Sequence, residues 1–263
     1  MKTVYEDELG RQEIFKFNLA DLFPDTISPA QTGSNSTIPA TIGNDNLTGT
    51  NGNDSINGRE GNDTIKGESG NDSLLGDQGE DSLLGGSGDD TLNGNQDKDT
   101  LLGDIGDDIL DGGAGDDSID GGADRDSLKG DLGNDTLDGA LGADILNGGE
   151  GNDSLTGNLD NDTLLGGVGD DTLNGGAGAD TLNGGAGADN FRFDLLPDNV
   201  SDQIIDFQKG VDKISLSKAI FGSADQLAYK DGMLSYNGSD LVEINNNNSV
   251  AANFSTTTEV TFF

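Results

Sequence analysis

An aspartate recurs every nine residues through the middle of the chain, without one insertion or deletion. Two residues after each of these aspartates stands an apolar residue, from Leu47 to Phe191. Seventeen such units fill residues 40–192, and a unit this short cannot bury its apolar side chain alone. The register therefore predicts a solenoid in which every unit packs on its neighbours. We call the recurring residues the repeat aspartates: Asp45, Asp54, Asp63, Asp72, Asp81, Asp90, Asp99, Asp108, Asp117, Asp126, Asp135, Asp144, Asp153, Asp162, Asp171, Asp180 and Asp189.

The repeating unit reads G-G-x-G-x-D-x-U-x, where U is apolar. Its x-U-x part predicts a three-residue strand with one side chain inward and two outward. The six residues before it must turn the chain, and we expect the glycines at the first and fourth positions to supply the positive φ values of that turn. Two strands and two turns then form one coil of 18 residues, so alternate repeats stack, with Asp54 over Asp72.

The composition excludes several classes of protein. The chain has 50 acidic and 13 basic residues, a net charge of −37 and only 31% apolar residues. Histidine and cysteine are absent, which excludes thiolate or imidazole metal ligands, a cysteine nucleophile and a Ser/His/Asp triad. Nucleic acid is excluded as a partner because a polyanion would be repelled. We expect no membrane span, since no apolar run is longer than three residues, and no N-terminal signal peptide, since acidic residues interrupt the first 24 residues.

The acidic excess predicts a bound cation. Neighbouring strands lie about 4.8 Å apart, so stacked repeat carboxylates would repel by about 3.5 kcal/mol per pair at an effective dielectric constant of about 20. A hard dication between them turns that repulsion into attraction, and Ca²⁺ suits flexible oxygen ligands better than Mg²⁺ does. If each ion lies between alternate repeats, the chain holds at most about 15 ions, and its charge falls to about −7.

The repeats resemble the calcium-binding nonapeptide repeats of RTX proteins, through residues 40–192. The resemblance implies an all-β fold: a right-handed parallel β-roll, or β-helix of 18-residue coils, with a small β-rich C-terminal cap. It also implies that each calcium site uses the repeat aspartates of two loops together with backbone carbonyls of the glycine turn. The expected carbonyl ligands include those of Gly85, Gly86, Gly88, Gly112, Gly113, Gly115, Gly166, Gly167, Gly169, Gly175, Gly176 and Gly178.

A few repeats depart from the pattern. Ala40 and Thr41 replace the first two glycines of the first loop. Asp97, Asp124 and Asp160 replace the fourth-position glycine, where the extra carboxylate would either add a ligand or distort the turn. We also expect the ends of the array to differ from its middle. Asp117 should face ions on both sides, whereas Asp45 and Asp189 should each face at most one.

The chain divides into three parts by composition. Residues 1–39 form an N-terminal segment, which ends in a linker rich in Ser, Thr and Pro from residue 24 onward. Residues 40–192 are the repeats. Residues 193–263 are expected to cap the array, because aromatic and alternating apolar residues return there, and residues 229–244 should form hairpins. The stretch from Asp189 to Phe221 resembles the region after the repeats in serralysin-type proteins, through the motifs F-x-F, S-D-x-I-x-D-F and G-x-D-K-I-x-L-S that begin at Phe191, Ser201 and Gly210.

The end of the chain, Glu259 followed by Val260, Phe262 and Phe263, looks similar to the C-terminal signal for type I secretion in RTX proteins; the alternative is an ordinary terminal strand. The sequence thus predicts a secreted, extracellular calcium-binding protein that folds on binding Ca²⁺. The expected role is structural or interactive rather than enzymatic, with calcium ions and the type I secretion apparatus as partners.

Two alternatives stay open. In the first, the chain is a non-catalytic module related to an RTX hydrolase or alginate epimerase, since the 39 residues before the repeats are too few for a catalytic domain. In the second, the chain is an adhesin that binds cell-surface or extracellular polysaccharide. Outward apolar residues of the repeats would then supply the contact face: Leu75, Leu84, Leu102 and Leu165.

Overall fold

The computed structural model describes residues 3–6, 12–15, 26–27, 37–194, 201–221, 227–230, 232–236, 239–244 and 260–263. These residues form a parallel β-solenoid, which confirms the all-β fold. The strands are β1 Thr3–Glu6, β2 Gln12–Phe15, β3 Thr26–Ile27, β4 Thr37–Ile38, β5 Asn46–Thr48, β6 Ser55–Glu60, β7 Thr64–Ser69, β8 Ser73–Gln78, β9 Ser82–Ser87, β10 Thr91–Gln96, β11 Thr100–Ile105, β12 Ile109–Ala114, β13 Ser118–Ala123, β14 Ser127–Leu132, β15 Thr136–Leu141, β16 Ile145–Glu150, β17 Ser154–Leu159, β18 Thr163–Val168, β19 Thr172–Ala177, β20 Thr181–Ala186, β21 Asn190–Phe193, β22 Asp202–Ile204, β23 Lys213–Leu216, β24 Leu227–Lys230, β25 Met233–Tyr236, β26 Ser239–Ile244 and β27 Val260–Phe262.

Successive repeats alternate between two long sheets. Within the described residues, one sheet contains 13 strands and runs from β4 through the even-numbered strands to the C-terminal hairpins. The other contains 12 strands and runs from β3 through the odd-numbered strands to β27. Parallel pairing joins residues 18 positions apart, such as Leu92 with Leu110 and Leu101 with Ile119. The predicted 18-residue coil and the stacking of alternate repeats are therefore confirmed.

The strands are longer than the sequence predicted. From β6 to β20 each strand has six residues, which are the x-U-x of one repeat and the first three residues of the next. Only the fourth, fifth and sixth positions therefore lie outside the strands. In β9 the side chain of Leu83 faces inward, and Gly85, at the next inward position of the strand, is also buried. The core is accordingly two rows of apolar side chains, mostly Leu and Ile, with one row on each sheet, from Ile38 to Phe191 and on into the cap.

The sequence analysis placed the positive φ values correctly at the fourth position of the repeat but wrongly at the first. From Arg59 onward, they occur at the second and fourth positions of every repeat, whereas the first-position glycines take other conformations. The second position accepts non-glycine residues in this conformation, including Arg59 with φ of 83° and Ala140 with φ of 68°. The glycines at these two positions include Gly86, Gly88, Gly113, Gly115, Gly167, Gly169, Gly176 and Gly178, all with positive φ.

Asp97, Asp124 and Asp160 do not distort the turn. Their φ values lie between 72° and 80°, in the left-handed region that aspartate tolerates better than most residues. All three side chains are exposed on the loops.

The solenoid begins before the repeats. The segment predicted as a linker contains β3, which pairs with β5, and β4, which pairs with β6. The sheets therefore include Thr26–Ile27 and Thr37–Ile38, which the sequence analysis had assigned to a linker. Farther upstream, β1 and β2 pair antiparallel with each other.

The C-terminal segment continues both sheets. Strand β22 pairs with β20 and β23 pairs with β21, both in parallel. Strands β24, β25 and β26 form the antiparallel hairpins that the sequence predicted, and β26 pairs with β22. Strand β27 lies beside β23, so the chain end is a terminal strand in the structure. One four-residue helix, α1 Lys218–Phe221, interrupts the described part of the cap. No helix in the described residues is long and apolar enough to span a membrane.

Candidate metal-binding site

The repeat aspartates form two buried ladders along the solenoid. All seventeen are at most 4% exposed, which is unusual for carboxylates. The backbone N–H of each donates to Oδ1 of the aspartate one coil later: Asp54 donates to Asp72 at 2.7 Å, and Asp99 donates to Asp117 at 2.8 Å. The carbonyl of each repeat aspartate accepts a bond from the residue that opens the next strand of the sheet, as Asp54 does from Ser73 at 2.9 Å. Backbone groups and Oδ1 are therefore satisfied by the fold itself.

The second carboxylate oxygen of these aspartates is not satisfied. Within the described residues, Oδ2 is buried and accepts no hydrogen bond at any repeat from Asp63 to Asp171, and again at Asp189. A buried carboxylate oxygen without a donor carries the full desolvation cost of a charged group. A row of such oxygens has to be satisfied by a ligand, and a negative charge at each position calls for a cation.

The first-position glycines provide room for the carboxylates. A Cβ atom built on Gly139 would lie 2.6 Å from Oδ2 of Asp144 and 3.0 Å from the carbonyl oxygen of Gly157. The first position therefore requires glycine because the carboxylate approaches the backbone closely there, and not because φ is positive. The unpartnered carboxylate oxygen and the carbonyl oxygen of the next coil both face this point. The same pair of oxygens faces Gly67, Gly76, Gly94, Gly148, Gly157 and Gly166, and among the carbonyls involved are those of Gly85, Gly112, Gly166, Gly175 and Gly184.

Burial also changes the acidity of the ladders. It raises the pKa of Asp90, Asp99, Asp126 and Asp135 to about 7, and the charges of neighbouring ladder aspartates raise it further, against the backbone hydrogen bond that lowers it. Burial raises the pKa of Asp162 to about 8 in the same way. Carboxylates that hold protons near neutral pH in a metal-free fold are groups whose charge is uncompensated there.

The oxygen donors present fit a calcium ion. Within the described residues, no group of three or more acidic side chains converges on one point as a preformed metal centre. Carboxylates of adjacent coils can supply only part of a coordination shell, and the first-position carbonyls stand next to them. Such a mixture of carboxylate and carbonyl oxygens is the ligand set that Ca²⁺ accepts with flexible geometry, whereas Mg²⁺ requires a tight octahedron.

Two ladder aspartates lie beyond the nonapeptide register and were missed in the sequence analysis. The N–H of Asp180 donates to Oδ1 of Asp202 at 3.0 Å, and the N–H of Asp189 donates to Oδ1 of Asp212 at 3.1 Å. Both added aspartates are buried. The prediction that Asp189 ends its ladder is therefore wrong, because Asp212 continues it. The signal was present in the sequence, since each stands two residues before a buried isoleucine, Ile204 or Ile214.

The outer ends of the ladders differ from the middle. Asp45 accepts hydrogen bonds from Thr41, and Asp54 accepts them from Thr50. At the other end, the N–H of Gln208 donates to Oδ2 of Asp212 at 2.6 Å. These three carboxylates therefore have protein donors for the oxygen that stays unsatisfied in the middle of the array.

Comparison with known proteins shows the family of the repeats. No curated protein matches the chain. Among solved structures, it is similar to the extracellular lipase LipA from Serratia marcescens, with 18% sequence identity and a TM-score of 0.25, over 90% of this chain and 40% of the lipase chain. The chain thus spans less than half of that protein. The model of the RTX calcium-binding nonapeptide repeat matches nine overlapping segments, 39–74, 67–101, 75–110, 93–128, 102–137, 121–155, 129–164, 138–173 and 156–191. These segments cover more than half of the chain, which therefore belongs to the family of RTX calcium-binding nonapeptide repeat proteins.

Proposed function

We propose that this chain is a secreted calcium-binding protein whose repeats fold when Ca²⁺ binds, and that its role outside the cell is structural or interactive rather than catalytic. The observation that carries the proposal is the row of buried carboxylate oxygens without donors, from Asp63 to Asp171. Uncompensated, these groups oppose folding, because both burial and the neighbouring charges disfavour their ionised form. A dication that they share removes both penalties.

Each ion is proposed to lie between two aspartates that follow one another in a ladder. The repeat aspartates from Asp63 onward supply the carboxylates, through the Oδ2 that accepts no hydrogen bond from the described residues at Asp63 to Asp171 and at Asp189. The glycine turns supply carbonyls. First-position carbonyls such as that of Gly157 are the best supported of these, because they face the same point as an unpartnered Oδ2. The total proposed from the spacing of the repeats is at most about 15 ions.

Secretion is proposed from the calcium dependence together with the family. In low cytosolic calcium the chain would stay unfolded and ready for export by a type I apparatus, and external calcium would then fold it. Residues 40–192 act as the calcium-binding unit in this scheme. Residues 193–263 cap it and carry the proposed secretion signal.

Circular dichroism tests the proposal directly. With a chelator the full chain should be largely disordered, and it should gain β-structure cooperatively in millimolar Ca²⁺. The matched control is Mg²⁺ at the same concentrations, which should give little β-structure because it keeps its own waters. A far-UV spectrum that is identical with chelator and with calcium would refute the proposal.

A second candidate function is the binding of polysaccharide. Three strands of one sheet, β6, β8 and β10, present a polar groove of about 480 Å³ on the outer surface. Amide, carboxylate and guanidinium groups in such a groove suit the hydroxyls of a sugar chain. The groove is lined by Arg59, Glu60, Asp77, Gln78, Asn95 and Gln96. A glycan array probed with calcium-loaded protein tests this function, with a Gln78→Ala/Gln96→Ala variant as the control for the groove. The absence of any glycan signal would remove this candidate.

A further inference from the structure

The first two loops of the array have a conformation of their own. The N–H of Thr50 donates to Oδ2 of Asp54 at 2.5 Å, and its hydroxyl donates to the same oxygen at 2.9 Å. Thr41 makes the equivalent bonds to Asp45, at 2.7 Å from its N–H and 3.0 Å from its hydroxyl. Each threonine Oγ1 also accepts a bond from the N–H of the fourth-position glycine, at 3.2 Å in the loop of Thr50. The carboxylate is thus closed off by its own loop.

The residue at the second position accounts for the difference. Thr41 and Thr50 are the second-position residues of their repeats, and neither takes a positive φ. In every later repeat, from Arg59 to Gly185, the second position takes a positive φ. In the loops from Asp63 to Asp171, no group of the described residues donates a hydrogen bond to Oδ2. A β-branched residue is a genuine outlier at positive φ, whereas Gly, Asn and Asp tolerate it. Threonine therefore forces the alternative loop, and its hydroxyl completes the cap.

The opposite end of one ladder is capped in the same way. Gln208 stands four residues before Asp212, as Thr50 stands four residues before Asp54, and its N–H donates to Oδ2 at 2.6 Å. Gln208 also lacks a positive φ. Three ladder ends thus share one device, a backbone N–H four residues upstream that takes the place of a cation.

We propose that the second-position residue decides whether a loop binds calcium, and that the carboxylates of Asp45, Asp54 and Asp212 are ladder ends closed by the protein and not by metal. This proposal rests on the proposed calcium binding of the loops between them. It lowers the number of ions below the limit set by the spacing of the repeats, because the first loop of each ladder contributes no open carboxylate.

Replacement of Thr50, a buried side chain, tests the proposal near the N-terminal end of the array. A Thr50→Gly change restores the glycine of the regular repeat, removes the hydroxyl donor and permits a positive φ. Native mass spectrometry of the full chain counts bound calcium ions at saturation. We expect Thr50→Gly to bind one ion more than the wild type. The matched control is Asn51→Gly, which adds a glycine at the neighbouring exposed position and should leave the count unchanged.

The converse change installs a cap inside the array. Glu68 is the second-position residue before Asp72, with φ of 81°. A Glu68→Thr variant should bind at least one ion fewer than the wild type. Glu68→Asn carries the same charge as Glu68→Thr but tolerates positive φ, so it should keep the wild-type count. If Glu68→Thr does not fold, the comparison at Thr50 still decides the matter.

The outcomes separate the two proposals. A wild-type chain that binds no calcium would refute the proposed function itself. A wild-type chain that binds calcium, together with equal counts for Thr50→Gly and Asn51→Gly, would overturn the role of the second-position residue and leave calcium binding intact. Equal counts for Glu68→Thr and Glu68→Asn would overturn it in the same way.

Discussion

Replacing Gly139 by alanine should damage one calcium site through a single methyl group. The added Cβ would lie 2.6 Å from Oδ2 of Asp144, against 3.4 Å for the shortest ordinary contact. The carboxylate would have to retreat by roughly 0.8 Å, because the carbonyl of Gly157 at 3.0 Å keeps the methyl group from moving the other way. Overpacking of this size costs about 1–3 kcal/mol. Ligand distances to Ca²⁺ span only about 2.3–2.6 Å, so the displaced oxygen also leaves the ion.

A second glycine gives a matched control. Gly43 likewise lacks a positive φ, but a Cβ built there meets no atom within 4 Å. Both substitutions reduce the entropy of the unfolded chain to the same extent, so their difference isolates the contact at the site. We expect Gly139→Ala to lower the free energy of unfolding in saturating Ca²⁺ by about 3 kcal/mol, the upper end of the overpacking range. Gly43→Ala should change it by less than about 0.5 kcal/mol.

Urea unfolding of the calcium-loaded protein, followed by far-UV circular dichroism, measures both values. A calcium titration of the chelated variants adds a second readout, in which Gly139→Ala should need more calcium to fold. Equal stabilities and equal calcium midpoints for the two variants would refute the reasoning. The first-position glycine would then have no role in bringing the carboxylate and the carbonyl together.

Two further predictions concern the ladders. Asp117→Ala should raise the calcium midpoint and lower the Hill slope more than Asp45→Ala does, because Asp117 has ladder neighbours on both sides and Asp45 ends its ladder; Asp189→Ala should resemble Asp117→Ala, since Asp212 follows it. Calcium titrations of the three variants check this, and equal effects would mean that the sites are independent. Without calcium, the folded repeats hold protons that the unfolded chain loses above its pKa of 3.8, because burial raises the pKa of Asp90 and Asp135 to about 7. Stability of the metal-free fold should therefore fall as the pH rises from about 4 to about 7, so chelated protein should show more β-structure at pH 4.5 than at pH 8. Spectra that do not change with pH would contradict it.

The core and the stacking could be predicted because one rule repeats throughout the array. An apolar residue two positions after each aspartate, such as Leu101 after Asp99, has to face inward in a strand, and a nine-residue unit returns to the same sheet only after two repeats. Both results follow from spacing alone. The buried position of every repeat aspartate follows from the same register.

The conformation of the turn could not be predicted in the same way. Glycine occurs both where φ is positive, as at Gly86, and where a side chain would collide with another group, as at Gly139. The sequence contains the same letter in both cases. The second position holds Arg59 and Ala140 in two repeats, so nothing in the sequence indicated that φ is positive there. The structure nevertheless has a positive φ at this position. Only the contacts of the carboxylate distinguish the two needs.

The continuation into the cap was missed because the spacing changes. Asp202 follows Asp189 by thirteen residues, and Asp212 follows Asp202 by ten, so neither fits a nine-residue register. What persists is the local pattern of an aspartate two residues before an isoleucine. A search for that pattern without fixed spacing would have found both. The strand β3, which pairs with β5, carries the same signal in the sequence, since Asp25 stands two residues before Ile27, and it too lies outside the nine-residue register.

The hydrogen bonds give each ladder a direction, and this direction accounts for the different chemistry of its two ends. Every repeat aspartate donates its N–H to an aspartate farther toward the C-terminus, and from Asp63 onward each also accepts at Oδ1 from the coil before it. At the C-terminal end, the N–H groups of Asp180 and Asp189 would lack an acceptor, and Asp202 and Asp212 provide one outside the repeats. At the N-terminal end the shortage is reversed, because among the described residues no aspartate one coil earlier donates to the carboxylate of Asp45.

Thr41 donates the hydrogen bonds that the carboxylate of Asp45 would otherwise lack. In the C-terminal cap, Asp202 and Asp212 instead accept the hydrogen bonds of the last two repeat aspartates. A simple repetition of the nonapeptide could provide neither, since each unit both donates and accepts within the ladder. Extra repeats would only move the two unsatisfied ends farther apart. A ladder of finite length therefore requires departures from the repeat at its ends, and they stand at Thr41, Thr50, Asp202 and Asp212. Variants that restore the repeat sequence at these positions should add metal-binding loops but leave the ends of the ladders without their hydrogen-bond partners.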